Sequence, residues 1–250
     1  MNTELNGTVL DREGEMTQFD RRASLILPYF NHDIRYGKHI VPPPIMVELF
    51  GVPSSGKSTA IREADKTLRK QQFRVKPPSE GAESIRYLTR DTPSYNIATG
   101  MYSYDILLEE SEGHRYDYVL FDRCLFDAYT WMKYWYRKGK LTDDLLRSIQ
   151  EYFLYGAARI DLAILVVCDP EIAFKRETRF ETTKRMGNYT NPETMELLLK
   201  LNMESHKELE KRFPQLKLLD TTNLDEVSMV HAVENMIYTC TEDKIVERKR

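Results

Sequence analysis

The chain has 250 residues, of which 41% are hydrophobic and 30% are charged, and its formal net charge is −3. These values are typical of a globular protein and allow one large domain with an appendage. The charge excludes a global basic field for polymeric nucleic acid or a membrane, and no apolar run approaches the roughly 18 residues of a membrane span. Three cysteines lie far apart without C-x-x-C spacing, which favours a reducing, cytoplasmic environment.

Residues 1–44 are interpreted as an N-terminal extension that packs on the main domain. Within it, residues 20–30 contain several apolar residues and predict a short helix that ends at Pro28. Three consecutive prolines at 42–44 then favour extended backbone, because proline fixes its own φ and restricts the residue before it.

Residues 45–59 contain the most informative stretch, an apolar strand followed by a glycine-flanked loop and the start of a helix. Gly51 and Gly56-Lys57-Ser58 match the phosphate-binding pattern G-x-x-x-x-G-K-[ST]. Backbone N–H groups and the helix N-terminus of such a loop bind phosphate oxygens. Lys57 supplies positive charge for the β- and γ-phosphates of ATP, and the Ser58 hydroxyl is a ligand for Mg²⁺. The predicted nucleotide-binding residues are Gly51, Pro53, Ser54, Ser55, Gly56, Lys57, Ser58 and Thr59.

The rest of the chain alternates predicted helices with short apolar segments, which predicts a parallel sheet with right-handed crossovers. The five predicted strands lie near 45–50, 72–76, 117–122, 162–168 and 216–220. The predicted helices span 58–70, 85–89, 97–110, 126–138, 143–158, 170–181, 192–213 and 224–238. Residues 45–240 are therefore assigned to one domain, and the charged segment 241–250 is interpreted as a frayed tail.

Asp122 ends an apolar strand and is followed by Arg123. An acid at this position suits the Mg²⁺ site of a phosphate-loop protein. Arginine cannot take a proton from water, but it can bind an anion or a hydroxyl group. The pair therefore favours phosphoryl transfer to a bound acceptor over hydrolysis.

The phosphate loop, the Asp122-Arg123 pair with Phe126-Asp127, and Asp169-Pro170-Glu171 followed by Arg176 together resemble the P-loop nucleoside and nucleotide kinases. Deoxynucleoside kinases and thymidylate kinases are the most similar members. The resemblance covers about residues 45–240. It implies a three-layer α/β P-loop NTPase fold, in which a five-stranded parallel sheet is flanked by helices and carries a lid. It also implies that Asp122 contributes to a Mg²⁺ site and that Arg123 contacts the acceptor.

The acceptor itself is left open by the sequence. Deoxynucleoside kinases carry a Glu-Pro general base after the second strand, whereas this chain has Pro77-Pro78-Ser79-Glu80. Glu80 is a displaced candidate for the base, and nucleotide kinases need none. Arg86, Arg90 and Tyr104 are further candidates for acceptor binding. Two other interpretations stay open, a nucleotide-sensing regulatory protein and a kinase of a non-nucleotide small molecule.

A basic cluster after the fourth strand is interpreted as a lid at about residues 176–191. Arg176 and Arg185 are predicted to bring guanidinium charge to the transferred phosphoryl group, a role worth about 10³–10⁵ in rate in related systems. Gly187 and Pro192 bracket a loop that can act as a hinge. The aromatic segment 126–137 is either the face of a homodimer or part of the core.

Overall fold

Five parallel strands form the central layer of the fold in the computed structural model, which describes residues 17–35, 42–79, 81–180 and 191–248. Their order is β2-β3-β1-β4-β5, and every adjacent pair is parallel. The strands are β1 (Ile45–Gly51), β2 (Val75–Ser79), β3 (Tyr118–Asp122), β4 (Leu162–Val167) and β5 (Leu216–Asp220). This arrangement confirms the predicted three-layer α/β fold.

Helices cover both faces of the sheet. In chain order they are α1 (Gln18–Arg35), α2 (Lys57–Lys70), α3 (Gly81–Ser84), α4 (Pro93–Gly113), α5 (Leu125–Arg137), α6 (Asp143–Ala157), α7 (Pro170–Phe180), α8 (Pro192–Leu209) and α9 (Glu226–Arg248). Successive strand residues point to opposite faces, so β1 divides its side chains between two apolar clusters. Met46 and Phe50 pack with α4, α5, α6 and α8, while Val47 and Leu49 pack with α1, α2 and α9.

Strand β1 is the centre of the sheet, and all seven of its residues are buried. It pairs with β3 on one side, where Leu49 is in register with Asp122, and with β4 on the other, where Gly51 is in register with Val166. The carboxyl ends of three strands therefore meet beside the loop that follows β1. Ligands bind at this edge in open α/β sheets.

Two predicted elements near the second strand differ from the structure. The second strand is present but lies at Val75–Ser79 rather than near 72–76, so Pro77 and Pro78 lie within it. Because β2 is at the edge of the sheet, prolines without N–H groups are tolerated there. The segment 85–89, predicted as a helix, is irregular, and helix α3 ends earlier, at Ser84.

The two ends of the described chain also differ from the predictions. Helix α1 continues through Pro28, because Ala23, Ile26 and Phe30, which lie on both sides of it, are buried against the main domain. Helix α9 continues to Arg248 instead of fraying at 241, and its last turns bury Thr241 and Ile245. Packing of an apolar stripe therefore outweighs the local signals that predicted both helix ends. Among the described residues, no helix is long and apolar enough to cross a membrane.

Candidate active site

The loop between β1 and α2 has the backbone conformation that a phosphate-binding loop requires. Gly51, Ser54 and Gly56 have positive φ values of 125°, 56° and 96°. A Cβ atom on Gly51 would lie 2.2 Å from a backbone oxygen of β4, and one on Gly56 would lie 2.3 Å from the Met229 sulfur. Gly51 is thus required by conformation and by close packing against backbone, and Gly56 by its conformation. The loop leads directly into the N-terminus of α2, where anions bind favourably.

Lys57 is the first residue of α2, and its side chain is buried over the loop. The ammonium group donates to the Val52 carbonyl at 2.5 Å and to Ser55 Oγ at 3.3 Å. Thr221, which follows β5, also holds the loop in place, because its hydroxyl donates to the Ser55 carbonyl at 2.9 Å. The ammonium charge is therefore held inside the loop, where the sequence predicted that it would meet phosphates.

Ser58 and Asp122 meet at the end of the sheet, as expected for a magnesium site. Ser58 Oγ donates to Asp122 Oδ2 at 2.5 Å. A hydroxyl and a carboxylate are the hard oxygen ligands that Mg²⁺ prefers, with phosphates and water completing the octahedron. Within the described part of the chain, no group of three His, Cys, Asp or Glu side chains is placed to hold a metal. The hydroxyl and the carboxylate together fit a magnesium ion whose other ligands are phosphates and water.

Arg123 lies in a tight turn between β3 and α5, with a φ of 72°. Its backbone N–H donates to the Leu49 carbonyl of β1 at 2.9 Å. Its guanidinium donates to Asp127 Oδ1 at 2.7 Å and to the Gly51 carbonyl of the phosphate loop at 3.3 Å. The turn thus holds one arginine against both the loop and the first turn of α5.

A small pocket of about 230 Å³ opens beside this arginine. Residues of the phosphate loop, the region before α4, α4 itself and α5 line it: Pro53, Gly81, Arg90, Tyr95, Asn96, Thr99, Gly100, Ser103, Arg123, Cys124, Asp127, Ala128 and Trp131. Asn96 Oδ1 accepts a hydrogen bond from Trp135 Nε1 at 2.8 Å, which fixes the orientation of its amide. The wall therefore combines aromatic surface with an oriented amide, two arginines and one carboxylate.

The sequence offered three candidates for acceptor binding, and they differ in their position relative to the pocket. Arg90 lines the pocket, and its role in acceptor binding stays a prediction. Tyr104 does not line it, because its ring is buried against Tyr152 of α6 with the ring centroids 5.2 Å apart. Arg86 is not among the lining residues. Glu80 lies outside the described residues, so its role as a base stays a prediction.

Glu48 is a functional candidate that sequence reasoning missed. It is fully buried within β1, and its carboxylate accepts hydrogen bonds from the backbone N–H groups of Cys124, Phe126 and Asp127. Burial raises its pKa to about 7, although the three N–H donors act in the opposite direction. The available signal was a charged residue within an otherwise apolar strand that precedes the phosphate loop.

Of the predicted lid at 176–191, residues 181–190 lie outside the described residues, and Arg176 is placed differently from the expectation. Arg176 lies in α7, and its guanidinium donates to the Thr221 carbonyl at 2.8 Å and the Leu224 carbonyl at 3.3 Å. In this structure it joins α7 to the loop after β5, so contact with a phosphate would require these bonds to break. Arg185 lies outside the described residues. The catalytic roles of both arginines stay predictions.

The aromatic segment 126–137 belongs to the core. Phe126, Tyr129, Met132 and Trp135 are all buried on α5, which packs against α4, α6 and α8. The structure thus favours the second of the two interpretations that the sequence left open for this segment.

The strand order, with the phosphate loop after β1 and an acid at the end of β3, defines a three-layer α/β P-loop fold. Comparison with solved structures supports this assignment at the level of the fold. A structure described as deoxyadenosine kinase from M. mycoides with bound dCTP is similar, with a TM-score of 0.54 and 18% sequence identity. The match covers 77% of this chain and 98% of that one.

A second structure of the M. mycoides deoxyadenosine kinase, with the products dCMP and a flexible dCDP bound, has a TM-score of 0.53 at the same identity and coverage. No sequence-family profile matches the chain, and no curated protein matches it by sequence. The resemblance to deoxynucleoside kinases is therefore confirmed in the fold.

Proposed function

We propose that the protein transfers the γ-phosphate of ATP to the hydroxyl group of a nucleoside. The observation that carries this proposal is the position of Arg123, which lines the pocket and donates to the Gly51 carbonyl of the phosphate loop. Two ligands bound at these neighbouring sites would face each other across one arginine. Such an arrangement serves transfer between two bound molecules, whereas hydrolysis needs a residue that orients an attacking water in place of the second ligand.

The donor side of the site consists of the phosphate loop, Lys57 and the Ser58–Asp122 pair. The loop N–H groups and the ammonium would bind the phosphates of ATP, and the two oxygen ligands would hold Mg²⁺. A bound Mg²⁺ would neutralise charge on the β- and γ-phosphates. The chain itself contributes alignment and positive charge, which account for most of the catalysis in phosphoryl transfer.

On the acceptor side, the pairing of Arg123 with Asp127 favours a nucleoside over a nucleoside monophosphate. A monophosphate brings a dianion that needs several cations, whereas one of the two arginines of the wall, Arg123, is already ion-paired to the Asp127 carboxylate at 2.7 Å. Like charges in one site repel each other strongly when water is excluded. A neutral nucleoside would instead place its hydroxyl group beside this pair, and its base would contact Trp131 and the Asn96 amide.

The chemistry follows from this placement. The acceptor oxygen forms a bond to the γ-phosphorus as the bond between that phosphorus and the bridging oxygen breaks, and ADP leaves. The proton of the hydroxyl passes to Asp127, the carboxylate among the described residues of the pocket wall. Arg123 stabilises the developing negative charge, because its planar donors match phosphoryl oxygens.

The direct test is incubation of the protein with labelled ATP, Mg²⁺ and a panel of nucleosides and nucleoside monophosphates. A labelled nucleoside monophosphate is the expected product, and a Lys57→Met variant provides the control for contaminating kinases. Label transferred only to monophosphates would contradict the choice of acceptor. Tight ATP binding without transfer to any acceptor would contradict the proposal and favour a regulatory nucleotide sensor.

A further inference from the structure

Glu48 is an unusual residue for the centre of a parallel sheet. It is fully buried, with Phe121 and Ala163 beside it in register on the neighbouring strands. Burying a carboxylate is strongly unfavourable unless hydrogen bonds and opposite charge compensate for lost water. The proposed transfer chemistry makes no direct use of this group. Its presence therefore needs a different explanation.

The partners of Glu48 are the N–H groups at the beginning of helix α5. Oε1 accepts from Cys124 at 2.8 Å and from Asp127 at 3.0 Å, and Oε2 accepts from Phe126 at 3.1 Å. These are among the N–H groups that an α-helix leaves without internal partners. Cys124, at the N-cap position, makes no side-chain cap. Glu48 thus caps α5 from another element, with its carboxylate at the positive end of the helix.

The capped segment carries the residues that face the acceptor pocket. Arg123 precedes it in the sterically unfavourable left-handed conformation, and Asp127 is its third helical residue. A residue held in that conformation persists only when its surroundings determine it. Two consecutive residues of β1 supply this constraint, since the Leu49 carbonyl accepts from the Arg123 N–H while Glu48 holds the following N–H groups.

We propose that Glu48 is a positioning residue that fixes Arg123 and Asp127 at the acceptor pocket by capping helix α5 from strand β1. This inference rests on the proposed function, and it identifies the residue that holds the acceptor side of that site rigid. Glu48 does not touch the pocket, because the described lining includes the residues that it holds but not Glu48 itself. Its loss should therefore affect acceptor use more than ATP binding.

The chain offers a matched control for the effect of removing a buried carboxylate. Asp161 is largely buried just before β4, and its Oδ2 accepts from the Met46 N–H of the same strand β1 at 2.9 Å. It lies at the opposite end of the sheet from the phosphate loop. Asp161→Asn should lower the melting temperature without changing acceptor kinetics.

The experiment compares Glu48→Gln, Glu48→Leu and Asp161→Asn with the wild type in acceptor kcat/KM and in the ATP·Mg²⁺-induced thermal shift. Glutamine keeps one acceptor oxygen, which can serve two of the three N–H groups, whereas leucine keeps none. We expect kcat/KM to fall about tenfold in Glu48→Gln and about 100-fold in Glu48→Leu, the loss typical of a catalytic group displaced by 1 Å. The ATP-induced shift should match that of the wild type in each folded variant.

Wild-type kcat/KM in Glu48→Gln, or equal losses in Glu48→Gln and Asp161→Asn, would overturn the inference. Glu48→Gln also serves as the decisive variant if Glu48→Leu does not fold. Amide hydrogen exchange tests the capping role of Glu48 independently of the proposed function. Even if the wild type phosphorylates no acceptor, Glu48→Gln should accelerate exchange at 124–127 while exchange in the first turn of α2 stays unchanged. Unchanged exchange at 124–127 would contradict the capping role itself.

Discussion

Replacement of Lys57 by methionine tests the central assignment of the nucleotide site. Methionine keeps an unbranched apolar side chain slightly shorter than that of lysine but removes the ammonium that donates to Val52 and Ser55. An ammonium about 4 Å from a phosphate oxygen gains about 4 kcal/mol at an effective dielectric constant near 20. We therefore expect ATP affinity to fall about 10²–10³-fold, since each 1.4 kcal/mol corresponds to about tenfold.

The assay is thermal unfolding with and without ATP·Mg²⁺. Ligand at about 100 times Kd stabilises a folded protein by about 2.7 kcal/mol. For a domain of this size that corresponds to a shift of about 5–11 °C, since 1 kcal/mol moves Tm by about 2–4 °C. At the same ATP concentration, Lys57→Met should show a shift of less than about 2 °C.

The matched control is Lys66→Met on the same helix. The side chain of Lys66 is 62% exposed and is ion-paired to Glu63, so its loss should leave the ATP-induced shift unchanged. Without ligand, Lys57→Met should unfold within a few degrees of the wild type, because removing a buried charge offsets the lost hydrogen bonds. A full ATP-induced shift in Lys57→Met would refute the assignment of this loop as the nucleotide site.

Four further predictions follow from the same geometry. Asp122→Asn should lower kcat by about 10²-fold or more and raise the Mg²⁺ concentration needed for activity, measured by magnesium titration of the transfer reaction. Arg123→Ala should lower acceptor kcat/KM at least about tenfold with the ATP-induced thermal shift unchanged, and unchanged acceptor kinetics would exclude its clamping role. Gly51→Ala should destabilise the fold by about 2–5 kcal/mol in thermal unfolding, because its φ is 125° and the new Cβ would meet backbone at 2.2 Å. Burial raises the pKa of Glu48 from 4.5 to about 7, so the folded state binds this proton more tightly than the unfolded state. Its contribution to stability is full below about pH 4.5 and lost as pH rises through about 7, and Glu48→Gln should remove that part of the pH dependence of Tm.

Where the sequence predictions of secondary structure were wrong, long-range packing outweighed a local signal. Pro28 indicates a helix end locally, but the continuous buried stripe from Ala23 to Phe30 keeps α1 helical on both sides of it. Pro77 and Pro78 argue against a strand, yet the edge position of β2 accepts them. Charge predicted a frayed end after residue 240, whereas Thr241 bonds to the Tyr118 hydroxyl beneath the sheet.

The phosphate loop and the strand-end acid were determined by the sequence alone. The residues from Gly51 to Ser58 are contiguous, and their backbone conformation follows from two glycines and a helix start. A local arrangement of this kind is specified by the residue types themselves. To place Asp122 beside this loop required one further inference, which is that adjacent parallel strands bring their carboxyl ends together at one edge.

Only the tertiary structure decided the acceptor side of the site. The pocket combines residues from segments as far apart as Pro53 and Trp131, and the orientation of Asn96 depends on Trp135 from another helix. The capping of α5 by Glu48 joins residues 76 to 79 positions apart. No periodicity or motif encodes such contacts, because they arise only when the sheet order places β1 directly beside the turn that follows β3.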